Sequence, residues 1–147
     1  MTSTPGRHPE HERRAVERTR YLAHRLMTAY NDMDADAFAA LFTPDAVFIN
    51  IFGTRMPGRA EIARGHRAGF ETRLAGTALT ADDLRVALVH ESTTVAHLSW
   101  TLRHTPAATA HTLAPCRGIF TLVAASTDGA DWAFVAATNV RQTPTTG

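Results

Sequence analysis

His66 is the residue in this chain whose type and setting speak most directly of chemistry. It shares a four-residue ladder with Ile62, Phe70 and Leu74, so a helix would carry all four on one face. An imidazole on an apolar helix face has two readings. It lines a pocket, as acid, base or hydrogen-bond partner near neutral pH. Otherwise it is a core residue whose ring nitrogens find backbone or water partners. The carboxylates offer less. Asp32, Asp34 and Asp36 cluster at a helix junction, Asp128 and Asp131 sit in a turn, Asp82 and Asp83 open a strand, and Asp45 precedes one. All read as caps and turns, the ordinary places for Asp.

Other reactive groups are sparse. Cys116 is the single cysteine, which excludes an internal disulfide and a multi-cysteine zinc site and fits a reducing compartment. It stands at a strand start with no assured base and reads as a structural thiol. The eight histidines are scattered, and His8 and His11 lack a third ligand, so no metal is expected. No glycine-rich phosphate loop or dinucleotide fingerprint occurs, and no cofactor is expected.

The elements that must position these groups follow from periodicity. Apolar residues recur at Val16, Leu22, Leu26 and Tyr30, predicting a helix over Glu12 to Tyr30. Asp34 can cap a second short helix running to Leu41, ahead of Pro44. A β-prone stretch, Ala46 to Asn50, and turn chemistry over Gly53 to Gly58 come next. A third helix is predicted from Arg59 to Leu74, with Gly76 as its stop. Strands are predicted over Leu84 to His90, Thr94 to His104, Cys116 to Ala125, and Trp132 to Arg141. Helices and strands so segregated indicate an α+β fold, with helices over one face of a curled sheet and a cone open at one end.

With 147 residues and 44% hydrophobic content, the chain is one domain able to bury a core unaided. The expected division is an N-terminal arm over residues 1–11, a single domain over 12–142, and a tail over 143–147. All 15 basic residues are Arg, balanced by 14 acids to a net charge of +1. That balance argues against a dedicated nucleic-acid binder. No apolar run approaches the ~20 residues that span a bilayer, and no secretory h-region opens the chain. A cytoplasmic protein without a membrane partner is expected.

The element order and four local strings carry a resemblance. They are Phe48-Ile-Asn-Ile-Phe-Gly53; Gly58-Arg-Ala-Glu-Ile62 with His66 and Phe70 following; Arg117-Gly-Ile-Phe-Thr-Leu-Val123; and Trp132-Ala-Phe-Val-Ala-Ala-Thr-Asn139. Over residues 12 to 142 the chain resembles the nuclear-transport-factor-2-like superfamily, which includes ketosteroid isomerase and SnoaL-like polyketide cyclases. Within it, the chain is most similar to the SgcJ/EcaC type found among enediyne antibiotic biosynthesis proteins. That type often carries a pair of tryptophans where this chain has Thr54-Arg55-Met56, and Asn-Thr-Arg where it has Asn139-Val140-Arg141.

The resemblance implies a cone-shaped, curved antiparallel or mixed sheet wrapped around a long N-terminal helix and two further helices. Comparison with the isomerases puts Asn50 at the place of the carboxylate base, and Leu26 and Ile119 near the places of the two oxyanion donors. None of the three can perform those roles. The same comparison directs His97, Ser99, Thr101 and Arg103 toward the cavity, with Arg117, Ile119, Asn139 and Arg141. A one-residue slip would reverse this. The implied site comprises Asn50, His66, His97, Arg117, Asn139 and Arg141, walled by Tyr30, Phe48, Phe52 and Phe70. Arg117 and Arg141 either meet an anionic or carbonyl-rich ligand or snorkel to the rim. The opposite faces, with Leu98, Trp100, Leu102, Phe120 and Phe134, would then pair in a homodimer. The expected function is binding of, or action on, a hydrophobic or polyketide-like small molecule of secondary metabolism, a polyketide or enediyne biosynthetic intermediate, in an internal pocket without a cofactor. Two alternatives stay open: a cofactor-free isomerase or cyclase using His66, and a non-catalytic interaction protein.

Overall fold

The computed structural model describes residues 9–143. Its first helix, α1, runs from Pro9 to Asn31. Pro9 heads it where no helical N–H is needed, and Glu10 and Glu12 complement its positive end. The buried stripe passes through Ala15, Thr19, Leu22, Leu26 and Tyr30. Thr19 Oγ1 donates to the Ala15 carbonyl at 2.8 Å and so must accept from Thr94 Oγ1, 2.7 Å away. At the other end the Asn31 amide exchanges two hydrogen bonds with the Leu79 backbone, at 2.9 and 2.8 Å, as a neighbouring strand would. The helix begins three residues before the expected start and takes in the end of the predicted arm. Residues 1–8 and 144–147 of the predicted arm and tail lie outside the described residues.

Asp34 caps α2 (Ala35–Ala39), its Oδ1 accepting from the Ala37 N–H at 3.0 Å. Helix α3 spans Arg59–Glu71, ending short of Leu74 because the N–H groups of Thr72 and Leu74 both turn back to the Gly69 carbonyl. Gly76 follows at φ +76°, where a Cβ would lie 2.4 Å from the Ala108 backbone, so the close approach of two loops requires glycine there.

Six strands follow or interleave: β1 (Phe42–Ile49), β2 (Arg55–Pro57), β3 (Thr77–His90), β4 (Thr93–His104), β5 (Cys116–Ser126) and β6 (Trp132–Arg141). They form one open sheet in the order β2-β1-β6-β5-β4-β3. The β1–β6 pair is parallel and the others antiparallel, which makes the fold the expected α+β arrangement with a mixed sheet. Strand β2 occupies a stretch predicted as turn. Strand β3 begins seven residues before the predicted Leu84, because pairing with β4 holds Thr77 to Ala81 despite their weak alternation. Helices α1 and α3 pack on the sheet, and α2 packs against both of them.

The face beneath the helices corrects the predicted strand parity. Leu98, Trp100, Leu102, Phe120, Leu122 and Phe134 are essentially buried beneath the helices. Burying each such side chain contributes about 1.5–3 kcal/mol, so the aromatic set belongs to this chain's own core. It is not an interface for a second copy. The outer face instead carries Ser99, Ile119, Thr121 and the exposed His97, Arg103 and Arg117. In β6 the faces cross over. Val123 and Ala124 of β5 pair with Ala136 and Phe134, so Val135 is an extra residue, a β-bulge. Trp132 and Phe134 point inward before it, and Ala137 and Asn139 after it. No helix among the described residues is long and apolar enough to cross a membrane.

Candidate functional site

Between α1, α3 and the inner face of the sheet lies a cavity of about 170 Å³. An apolar cavity of about 150 Å³ is enough for benzene, so this one suits a body of one or two rings. Tyr30 comes from α1, His66 from α3, Phe48 from β1, and Trp100, Phe120 and Asn139 from the three central strands. Asn50 and Phe52 in the turn between β1 and β2, with Arg73 and Leu74 after α3, also line it. Apolar atoms dominate the wall, and among the described residues Arg73 is the one formally charged residue on it.

His66 sits in an aromatic cage. Its ring lies at a 30° tilt against Phe38, 4.1 Å between centroids, and meets Phe48 edge-on at 4.7 Å. Nδ1 lies 2.8 Å from the Ile62 carbonyl, which can only accept, so Nδ1 carries the proton. Desolvation lowers the imidazole pKa to about 4, against a smaller opposing effect of that hydrogen bond. At neutral pH the ring is therefore uncharged, with its lone pair on Nε2. No buried polar side-chain atom among the described residues lacks a partner. Among the described residues Nε2 has no hydrogen-bond partner and so is not fully buried, and His66 lines the cavity. The two readings of His66 thus merge: it is packed as a core residue and presents one acceptor to the pocket.

The other polar groups are similarly committed at one end. Thr77 Oγ1 donates to the Leu74 carbonyl at 2.7 Å, so the Tyr30 hydroxyl, 2.8 Å away, donates to Thr77. Burial is the main cause that raises the Tyr30 pKa to about 12. Asn139 Oδ1 accepts from the Trp100 indole N–H at 2.8 Å, which fixes the amide and leaves its NH₂ as a donor. Asn50 Oδ1 accepts from the N–H groups of Phe52 and Thr54, both at 2.9 Å, and so holds the turn that carries Phe52. Neutral hydrogen-bonding groups in an apolar wall can orient a ligand. Among the described residues no carboxylate lines the cavity.

Of the ten site residues read from the sequence, six come together at this cavity: Tyr30, Phe48, Asn50, Phe52, His66 and Asn139, while Phe70 packs behind Tyr30 and His66 without lining it. His97 and Arg117 do not, because they fall on the outer face of β4 and β5. Arg141 lies at the exposed end of β6, beside Cys116 and Arg117 in a separate shallow hollow. Ile119 also faces outward; its inward neighbour Phe120 has no hydroxyl to offer an oxyanion. Burial raises the Cys116 thiol pKa, with Arg141 opposing. Trp100, Met56, Leu79 and Arg73 were missed. Arg73 lies two residues past the end of α3, where helical spacing from His66 no longer applies, so no local signal marks it. Among the described residues no group of three His, Cys, Asp or Glu is placed to hold a metal ion.

The architecture recurs in solved structures. An uncharacterised protein with a cystatin-like fold from Caulobacter vibrioides superimposes with a TM-score of 0.80 at 21% identity, over 89% of this chain and 92% of that one. The protein Aln2 from a Streptomyces species gives 0.72 at 20% identity, over 92% and 93%. A ketosteroid isomerase-like protein from Erwinia carotovora atroseptica gives 0.71 at 17%, over 88% and 97%. At these identities the likeness is one of fold. No curated protein sequence matches the chain. The model of the SnoaL-like domain matches residues 23–142, from the middle of α1 to the end of β6. The chain therefore belongs to the SnoaL-like domain family.

Proposed function

We propose that this protein binds a small, largely apolar aromatic molecule in its cavity, without a cofactor, as part of secondary metabolism. A polyketide-derived or enediyne-pathway intermediate is the ligand class that the sequence resemblance favours. The observation that carries the reading is the free Nε2 of His66, an acceptor in an apolar cavity that the Asn139 side chain also lines. A ring bearing a hydroxyl would donate to Nε2, and a carbonyl would accept from Asn139. The alternative of a His66-based isomerase or cyclase is disfavoured by its pKa of about 4, far below the near-neutral value of an efficient general base. Trp100 lines the cavity, so its fluorescence reports occupancy. Saturable quenching by 1-naphthol, lost in His66→Leu, is expected. Absence of binding, or binding that His66→Leu leaves intact, overturns the reading.

A homodimer stays within the proposal, on a different face from the one read in the sequence. Val95 and Val123 are cross-strand neighbours on the outer face of the sheet, as are Ile119 and Val140, with Thr121 and Thr138 between. Such a half-exposed strip could pair with its copy about a two-fold axis. Sedimentation at about 32 kDa, twice the 16.0 kDa of the chain, supports this, and a species at the chain mass removes it.

A further inference from the structure

We infer that Arg73 makes the mouth of the cavity selective for a ligand whose apolar ring body ends in an anionic group. The inference rests on the pocket-binding reading and specifies its substrate class. Inside, the described polar side chains are neutral: the His66 ring, the Tyr30 phenol, the Thr72 hydroxyl and the amides of Asn50 and Asn139. A carboxylate or phosphate carried into that space would be desolvated without a counter-charge, at a cost of several kcal/mol. The mouth differs, because Arg73 is solvent-exposed there. An acid group can stay hydrated beside its guanidinium while the rings enter the cavity.

The guanidinium is placed and uncommitted. Its carbon lies 4.2 Å from the centre of the Phe52 ring, a cation–π contact joining the β1–β2 turn to the segment after α3. Both ends of that contact are anchored. Asn50 fixes the turn below Phe52, and the Arg73 carbonyl accepts from the Leu113 N–H at 2.8 Å. Among the described residues the ion pairs are Arg64–Glu61, Arg67–Asp36 and Arg85–Asp83, so Arg73 meets no carboxylate. Its side-chain N–H donors form no hydrogen bond there either. A planar guanidinium held in place with free donors is suited to a carboxylate taken bidentately.

The test compares 2-naphthoate with its neutral isostere 2-naphthamide, by calorimetry on the full chain and on Arg73→Met, whose long side chain can still cover Phe52. The wild type should prefer the acid. Arg73→Met should weaken the acid by roughly three- to tenfold and leave the amide unchanged, and added salt should weaken only the acid. If the variant weakens acid and amide equally, Arg73 is only a strap across the mouth and the inference is overturned. Equal wild-type affinities for the two ligands overturn it as well, while leaving the pocket reading intact. If neither ligand binds, the pocket reading fails and this inference falls with it.

Discussion

Trp100 and Asn139 are hydrogen-bonded at 2.8 Å although a whole strand lies between them. The indole crosses β5 at Gly118, the one residue there without a side chain to block it. A Cβ on Gly118 would stand 2.1 Å from Trp100 Cζ2 and 2.5 Å from the Val140 carbonyl. This bond sets the cavity floor and fixes the Asn139 amide.

Gly118→Ala should therefore be strongly destabilising. Neither the indole nor the β6 backbone can yield far, and overpacking of this kind costs about 1–3 kcal/mol or more. Urea denaturation measures it, and near-ultraviolet dichroism should show the indole displaced. An alanine variant as stable as the parent would mean that Trp100 does not lie over Gly118.

Asn139→Leu leaves the indole N–H without its acceptor in a largely buried setting. A loss of about 1–3 kcal/mol is expected. Asn139→Gln retains a neutral amide oxygen as acceptor and should be milder. The order of the two midpoints is the check, and a reversed order contradicts the assigned hydrogen bond.

His66 gives a pH dependence whose sign is fixed by its pKa. The folded value is about 4, and the ordinary value is near 6.5. Between the two, the unfolded chain takes up a proton that the folded chain refuses, so stability falls as the pH is lowered through that window. The full effect is on the order of 3 kcal/mol, all of it retained above about pH 6.5. His66→Leu should stay within about 1 kcal/mol of the parent at pH 7 and exceed it by about 2 kcal/mol at pH 5. Parallel stability profiles for the two proteins would show that the ring is not desolvated.

Asn50→Asp should keep the turn, because an aspartate oxygen can accept the same two N–H groups that now bind Asn50. It should not create steroid isomerase activity. Leu26 is wholly buried and apolar, and neither Ile119 nor Phe120 supplies an O–H donor to the cavity. Losing even one oxyanion donor costs ~10²–10³ in rate. Turnover of a β,γ-unsaturated ketosteroid by this variant would place the reaction centre elsewhere.

Periodicity and capping determined the three helices. The Leu22, Leu26 and Tyr30 stripe specifies α1, Asp34 caps α2, and the Ile62, His66 and Phe70 ladder orients α3, since each is a local property of spacing. Alternation likewise divided β4 and β5 into an aromatic set and a polar set. It could not say which set faces the helices, because a period of two defines two faces without naming the inner one. Burial decided that: the aromatic set covers its apolar area against α1 and α3, leaving His97 and Arg117 outside. Strand β2 and the first half of β3 were invisible because partner strands, and no propensity of their own, hold them. The bulge at Val135 decided the rest. One unpaired residue turned Asn139 to the same side as Phe134, and no local signal around Val135 marks it. The site residues that were legible lie on helices and turns with local geometry, and those that were not lie where cross-strand pairing sets the side.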